Sequence, residues 1–286
     1  MKSLIVGLGS IGRRHGRNLT ELGVNVLGVD PRQDRRDAFA AEIKGAKTYE
    51  KLDEGLAAGC DFAVVASPNV FHLEQALTCA QAGMHLFIEK PLAVSLDGMD
   101  ALTEAVEERR LTVLMGSNWK FHPGLRRMKE LIDSKAIGRV LAVQAIGGQY
   151  LPDWHPWEDY HAMYSSRVAL GGGVLWDSHD MDYLTWLAGP LSAVSCRTAR
   201  TRTLDIETED LACALLTFKS GAQGTLQMDY LQRPYARRVH VTGSLGTVVW
   251  EYPEGAVRHY HADDKTWRTY PVPEGYELNQ MYVDEM

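Results

Sequence analysis

The run Gly7-Leu8-Gly9-Ser10-Ile11-Gly12 constrains the fold of this chain more than any other stretch. A short apolar strand at 2–6 leads straight into it. A helical stretch follows to about residue 22, and Gly23 is a natural stop. A second strand, 24–29, ends in Asp30, which lies 18 residues beyond Gly12. Strand, glycine turn, helix, strand and acid is the order of a dinucleotide-binding unit. Gly7 allows the tight turn, Gly9 lets the backbone approach a pyrophosphate, and Gly12 lets the helix lie close to the strand. At the start of the helix, Ser10 and Ile11 lie where free N–H groups and a partial positive charge meet the phosphates. Asp30 is placed to accept hydrogen bonds from the adenosine ribose, which favours NAD. Arg32 keeps NADP open, since an arginine there can receive a 2′-phosphate. Equally, it can be a solvated charge at a helix start beside Asp34, Arg35, Arg36 and Asp37.

The alternation continues. The pattern predicts helices over 35–43, 51–58, 72–82 and 95–110, and strands over 61–66, 85–89 and 111–115. Strands and helices in turn make a parallel sheet with right-handed crossovers. The glycine turn, Ser67-Pro68-Asn69 and Glu89-Lys90-Pro91 then all follow strand C-termini, on the edge where open sheets bind ligands. The strand at 85–89 is stiff and apolar and ends in an acid, a base and a proline that cannot extend the ladder. Lys90 is therefore delivered to the ligand edge.

After Pro123 the character changes. The expectation is a helix over 125–134, a strand over 139–150, an aromatic-rich loop over 151–160, and a helix over 174–188 that Gly189-Pro190 ends. Strand-prone runs at 193–202, 209–218, 224–230, 239–242 and 247–252 follow, with Gly221 and Gly246 between them. Strands without intervening helices predict an antiparallel sheet, with the two helices on one face. The expected fold class is thus α/β. A doubly wound parallel sheet occupies 1–120, and an α+β domain with a large, mainly antiparallel sheet occupies 121–286. In the loop 153–164, Trp154 and Tyr164 have two readings: rings that stack on the apolar face of a sugar, or rings that pack the loop onto the sheet.

Composition narrows the partners. The net charge of −7 argues against a nucleic-acid footprint and against anionic membranes. No apolar run approaches the ~20 residues that span a bilayer, and the N-terminus lacks a cleavage site, so a cytoplasmic location is expected. None of the four cysteines forms a CxxC pair. They read as buried free thiols rather than as a disulfide framework or a metal site, and no metal is expected.

Several stretches together resemble one family. They are Gly7 to Gly12, Ala66-Ser67-Pro68-Asn69 with His72, and Gly83-Met84-His85-Leu86-Phe87-Ile88-Glu89-Lys90-Pro91-Leu92. Asn118-Trp119-Lys120-Phe121-His122-Pro123 and Gly171-Gly172-Gly173 complete the set. Along essentially its whole length the chain resembles the glucose-fructose oxidoreductase / inositol dehydrogenase / rhizopine-catabolism (Gfo/Idh/MocA) family of NAD(P)-dependent oxidoreductases, whose N-terminal half is a Rossmann domain. The resemblance implies reversible hydride transfer between NAD(P) and a secondary alcohol of a sugar, sugar derivative or cyclitol. It implies that Lys90 contacts the nicotinamide ribose and the substrate hydroxyl, and that Glu89 touches the ribose or nicotinamide. Ser67, Pro68, Asn69 and His72 fall on the cofactor side. Lys120, Tyr150, Trp154, Tyr164 and Asp182 fall on the substrate side. Lys120 is a departure, since the family more often has arginine there, and a bidentate contact is lost. In this family the free face of the C-terminal sheet commonly joins subunits, so a homodimer or homotetramer is expected.

The catalytic histidine is the difficult position. The family usually has an aspartate and a histidine four residues apart, on one helix face. This chain has Asp177 and His179, two apart, followed by Asp182. Matched from the glycines, Asp177 keeps its place and Met181 takes that of the histidine. Matched from the downstream aspartate, His179 keeps its place and Asp177 is displaced, to be read as a helix N-cap with His179 in the first turn. The second alignment is preferred, with His179 as the proton acceptor and Lys90 as the group that stabilises charge on the substrate oxygen. The irregular spacing leaves two rivals: a cofactor-binding homologue without catalysis, and an enzyme that recycles bound NAD to epimerise or eliminate. At the end, 279–286 reads as the start of an amphipathic helix without a stop signal, where family members usually continue.

Overall fold

Strands that are apolar on both faces need helices on both sides, and the first part of the chain supplies them. The computed structural model describes residues 1–286. In it, β1 (Lys2–Val6), β2 (Asn25–Val29), β3 (Lys47–Tyr49), β4 (Phe62–Val65), β5 (His85–Ile88) and β6 (Val113–Met115) form a sheet ordered β3-β2-β1-β4-β5-β6. Every pairing is parallel. The connecting helices are α1 (Ser10–Glu21), α2 (Gln33–Glu42), α3 (Leu52–Leu56), α4 (His72–Gln81) and α5 (Met99–Arg109). Successive strand residues point to opposite faces, so neighbours enter different cores. Leu4, Val65 and Ile88 pack with Ala76 and Cys79 of α4 and Leu102 of α5. Ile5, Val64 and Phe87 pack with Leu19 of α1 and Phe39 of α2. The strand order reverses between β1 and β4, which is the ligand crevice of a doubly wound sheet.

Two local readings change. The strand β3 went unread because Lys47-Thr48-Tyr49 is short and not apolar. Helix α5 starts at Met99 instead of near 95, because Ser95 bonds to Asp97 and Gly98 takes a left-handed conformation, closing a turn there.

The remaining elements are α6 (Pro123–Asp133), β7 (Val140–Gly148), α7 (His179–Ala188), β8 (Leu191–Ala199), β9 (Leu211–Phe218), β10 (Gln223–Asp229), β11 (Ala236–Gly243), β12 (Gly246–Tyr252), β13 (Val257–His261), β14 (Thr266–Tyr270) and α8 (Gln280–Glu285). The eight strands run β14-β13-β12-β11-β7-β10-β9-β8, antiparallel except for β7 beside β10. Helix α6 packs on β12 and β13, and α7 on β7. Val143, Ala145, Val239, Val241, Val248 and Trp250 are buried, while Gln144, Leu215, Gln227 and His240 line a broad concavity on the opposite face. Strands β13 and β14 were not anticipated, because their alternation is carried by His, Tyr, Arg, Thr and Trp rather than by aliphatics. Two cysteines depart from the expected burial. Cys196 on β8 and Cys213 on β9 are exposed, because no helix covers that side of the sheet edge, whereas Cys79 is buried in the α4 core.

The chain divides into two units, Met1–Ser117 with Tyr282–Met286, and Asn118–Met281. In the first unit, the tail brings Tyr282 under the Arg14 guanidinium, 4.4 Å from the ring centroid, and Met286 against the core around Phe39. The Glu285 carboxylate accepts the Ser117 N–H. No helix is long and apolar enough to cross a membrane.

Candidate cofactor and catalytic residues

The glycine turn is dictated partly by the protein and partly by what it must admit. Gly7 has φ +93°, and a Cβ on it would lie 2.6 Å from the Ser67 nitrogen. A Cβ on Gly12 would lie 1.9 Å from the Gly7 oxygen. These two glycines are required by close packing of loop, helix and strand. Gly9 differs: a Cβ there would meet only the Arg35 Nη1 atom, at 3.9 Å. Its clearance leaves main chain open on the side where α1 begins at Ser10 and Ile11, the cradle that a pyrophosphate needs.

Asp30 closes this cradle. It is buried at the end of β2, and it accepts the Leu8 N–H at Oδ2 and the Arg32 N–H at Oδ1, both at 2.9 Å. A carboxylate oxygen accepts more than one hydrogen bond, so ribose hydroxyls fit the same group. The Arg32 side chain turns to Asp34, with Nε and Nη2 at 3.0 and 2.6 Å from the two carboxylate oxygens. The cation beside Asp30 is instead Arg35, whose Nη1 is 3.5 Å from Oδ2. Arg36 is structural and donates to the Asp30 carbonyl at 2.6 Å.

Ser67 and Pro68 follow β4, and buried Asn69 starts a 3₁₀ turn. The Ser67 hydroxyl donates to Gln75 at 2.6 Å. Buried His72 sits between the carbonyls of Ser67 and Pro91, 2.7 Å from each. It ties the loop after β4 to the loop after β5. Glu89 is buried at the end of β5, with Oε1 2.6 Å from His15 Nε2 and Oε2 accepting the Lys90 N–H at 3.2 Å. Lys90 is half-buried beside it. Burial raises the Tyr282 pKa, and Arg14, Glu89 and Lys90 are within electrostatic reach of its hydroxyl.

In the second unit the helix expected over 174–188 is divided. Gly173 has φ +120°, and a Cβ on it would lie 2.3 Å from Glu209 Oε1. A 3₁₀ turn, Val174–Trp176, leads to Asp177 in a non-helical conformation, and α7 begins only at His179. The N-cap is Ser178, without a side-chain bond, so the N-cap expectation for Asp177 is corrected. Because Asp177 lies outside the helix, a two-residue spacing no longer separates it from His179. His179 Nε2 is 3.8 Å from Asp177 Oδ1. Asp182, on the same helix face one turn on, accepts Lys120 Nζ at 2.6 Å. Met181 is half-buried.

The aromatic positions have separate surroundings. The Arg233 guanidinium lies 3.4 Å from the centroid of the Tyr150 ring. Trp154 packs edge-on against Tyr230 at 5.2 Å, and its indole nitrogen is buried without a hydrogen-bond partner, which is the packing alternative for that residue. Tyr164 is exposed on a 3₁₀ turn. Burial raises the pKa of Tyr230, and its phenol has Tyr164, Asp177 and Glu209 as charged or titrating neighbours.

Sequence reading missed a buried cluster behind Asp177. Arg237 on β11 places Nη2 3.0 Å from Asp180 Oδ2 and 3.4 Å from Asp177 Oδ2. Its guanidinium stacks 4.6 Å from the Trp119 ring centroid. Burial opposes the charge on Arg237, but Asp180, Tyr235, Tyr183 and Asp177 together outweigh it and keep the pKa above the usual value. Burial raises the pKa of Asp180 despite Arg237, and Tyr183 donates to it. The absent Cβ of Gly147 makes room, since one would lie 2.3 Å from Asp180 Oδ2. A signal was available: Arg237 shares strand parity with buried Val239 and Val241, and an arginine on an inward face needs a carboxylate. His15 was missed too, three residues beyond Gly12 and wholly buried.

Comparison with known proteins agrees with this layout. A family model described as an oxidoreductase family with an NAD-binding Rossmann fold (GFO_IDH_MocA) matches residues 1–117. The GFO/IDH/MocA C-terminal domain model matches residues 125–249. A myo-inositol 2-dehydrogenase of Thermotoga maritima is 27% identical over 87% of this chain and 74% of its own length. An inositol 2-dehydrogenase of Saccharopolyspora erythraea is 30% identical over 85% of this chain and 71% of its own length. In fold, the chain is similar to levoglucosan dehydrogenase in complex with NADH, with a TM-score of 0.87 at 19% identity, covering 100% of this chain and 87% of that one.

Proposed function

The chain belongs to the Gfo/Idh/MocA family of oxidoreductases, and from that premise we propose that it is a dehydrogenase acting on a secondary alcohol of a sugar, sugar derivative or cyclitol. Its cofactor is NAD, as the Rossmann half implies. The observation that carries the reading is Lys90, which follows β5 on the ligand edge of the same parallel sheet whose glycine turn and Asp30 suit a dinucleotide.

Bound NAD supplies the hydride acceptor. The protein's part is binding, orientation and proton handling. The Gly9 main chain and the start of α1 take the pyrophosphate, and Asp30 accepts from the adenosine ribose. Lys90 donates to the substrate oxygen and stabilises negative charge on it as the C–H bond breaks. His179 takes the hydroxyl proton at Nε2, the atom 3.8 Å from the Asp177 carboxylate, which steadies the imidazolium that forms. Lys120, paired with Asp182, is the donor for a further substrate hydroxyl. The outer face of the β7–β14 sheet, with exposed Val194 on edge strand β8 and Leu215 on the neighbouring β9, is the surface for a homo-oligomer. Free cysteines suit a cytoplasmic location.

The test is a panel of free sugars, nucleotide-linked sugars and cyclitols, assayed for reduction of NAD and NADP in parallel. A substrate that turns over with the parent chain and not with Lys90→Ala supports the reading. Undiminished turnover by Lys90→Ala sinks it.

A further inference from the structure

We propose that His15 is a positioning residue for Lys90, acting through the Glu89 carboxylate; this rests on the dehydrogenase reading and deepens it. His15 lies on α1, the helix whose N-terminus forms the phosphate cradle, and it is 0% exposed. Its Nε2 is 2.6 Å from Glu89 Oε1. Its Nδ1 is buried without a hydrogen-bond partner. An imidazolium would leave an N–H unsatisfied at Nδ1, which costs more than a bare lone pair. With Nδ1 unpartnered, the tautomer that suits this site carries its proton on Nε2 and donates to Glu89 Oε1.

Glu89 is held on its other sides as well. Oε2 accepts the Lys90 N–H at 3.2 Å. Gly116, next to β6, leaves space for the carboxyl, since a Cβ there would lie 3.1 Å from it. The Phe87 ring packs edge-on against His15, with centroids 5.1 Å apart. The chain of contacts runs from α1 through His15 and Glu89 to the main chain of Lys90.

Packing alone does not account for this pair. Two apolar side chains would fill the volume without an orphaned nitrogen, and such replacements of buried polar pairs are often neutral or stabilising. The polar pair adds a directional bond between the phosphate-binding helix and the residue that leads into Lys90. That bond fixes where the lysine emerges from β5. A misplacement of about 1 Å at a reacting group costs roughly 100-fold in rate.

The experiment compares the parent with His15→Phe, which fills the space without a donor, and His15→Gln, whose amide nitrogen mimics Nε2. Three readouts are taken: NADH affinity by fluorescence, kcat and KM on the substrate from the panel, and the pH profile of Lys90 reductive methylation by peptide mass spectrometry. For His15→Phe we expect a fall in kcat of roughly 10- to 100-fold, little change in NADH affinity or KM, and a shifted Lys90 profile. His15→Gln restores kcat and the Lys90 profile. Equal behaviour of the two variants overturns the proposal, as does a kcat loss with an unaltered Lys90 profile. Should His15→Phe fail to fold, Glu89→Gln replaces it, with the same Lys90 shift expected and an unmoved profile overturning the proposal. The labelling readout needs no turnover, so it judges His15 even if Lys90→Ala shows the dehydrogenase reading to be wrong.

Discussion

At the scale of single residues, cofactor choice depends on which arginine stands beside Asp30. The sequence leaves Arg32 two readings, a 2′-phosphate contact or a charge beside Asp34; in the structure Arg32 bonds to Asp34, and Arg35 reaches the acid. Asp30 repels a 2′-phosphate, while Arg35 offsets that repulsion and offers a guanidinium to it. Arg35→Ala should therefore weaken 2′,5′-ADP binding by roughly 10-fold, the size of one charge-assisted contact, while 5′-AMP binding changes little. Asp30→Ala should move the ratio the other way. Calorimetric titration of both nucleotides against both variants checks this, and an equal loss of the two ligands in Arg35→Ala would rule it out. Sequence spacing gives distance along a helix, but not which of several nearby carboxylates a long flexible side chain selects.

At the scale of elements, the first unit was largely legible and α7 was not. Consecutive apolar strands, glycines where packing forbids a Cβ, and an acid at the end of β2 each act locally, so they leave marks in the sequence. The break at Asp177 is different. It depends on Gly173 against Glu209, some 36 residues away, and on Arg237 from β11 drawing Asp177 and Asp180 together. Strand parity marks Arg237 as inward-facing, but which distant carboxylates it meets leaves no periodicity. These distant partners also make a prediction about what ties α7 to the sheet. Arg237→Met removes the cation and leaves Asp180 buried without its charge partner, which should cost about 3–5 kcal/mol. Urea unfolding of the variant should show that loss as a lower midpoint. The double variant Arg237→Met/Asp180→Leu should recover much of it, because no uncompensated charge is left. A double variant no more stable than the single one would mean that the cluster holds α7 by more than its charges.

At the scale of the whole molecule, stability should depend on pH through histidines folded in their neutral form. His122 is the clearest. Burial among Trp119, Trp250, Tyr252 and Tyr276 lowers its pKa to about 4. Its Nδ1 accepts the Gly124 N–H at the start of α6, 3.1 Å away, and protonation abolishes that acceptor. The unfolded chain binds the proton near pH 6.5 and the folded chain only near 4, so stability rises with pH between these values. The contribution is complete above pH 6.5 and is lost progressively as the pH falls toward 4, on the order of 3 kcal/mol in all. His240 and His259, also lowered by burial, add to the same slope. Asp180 opposes it, since a carboxyl with a raised pKa takes up its proton more readily when folded. Exposed Asp34, Asp159 and Asp264, all lowered by hydrogen bonds from neighbouring side chains, act only below about pH 3.8. His122→Asn isolates the term, because asparagine keeps an N-cap acceptor and does not titrate. It should lower the thermal midpoint at pH 7.5 through lost packing, yet fall less steeply than the parent between pH 6.5 and 5. Parallel slopes for the two chains would mean that His122 does not contribute to acid sensitivity.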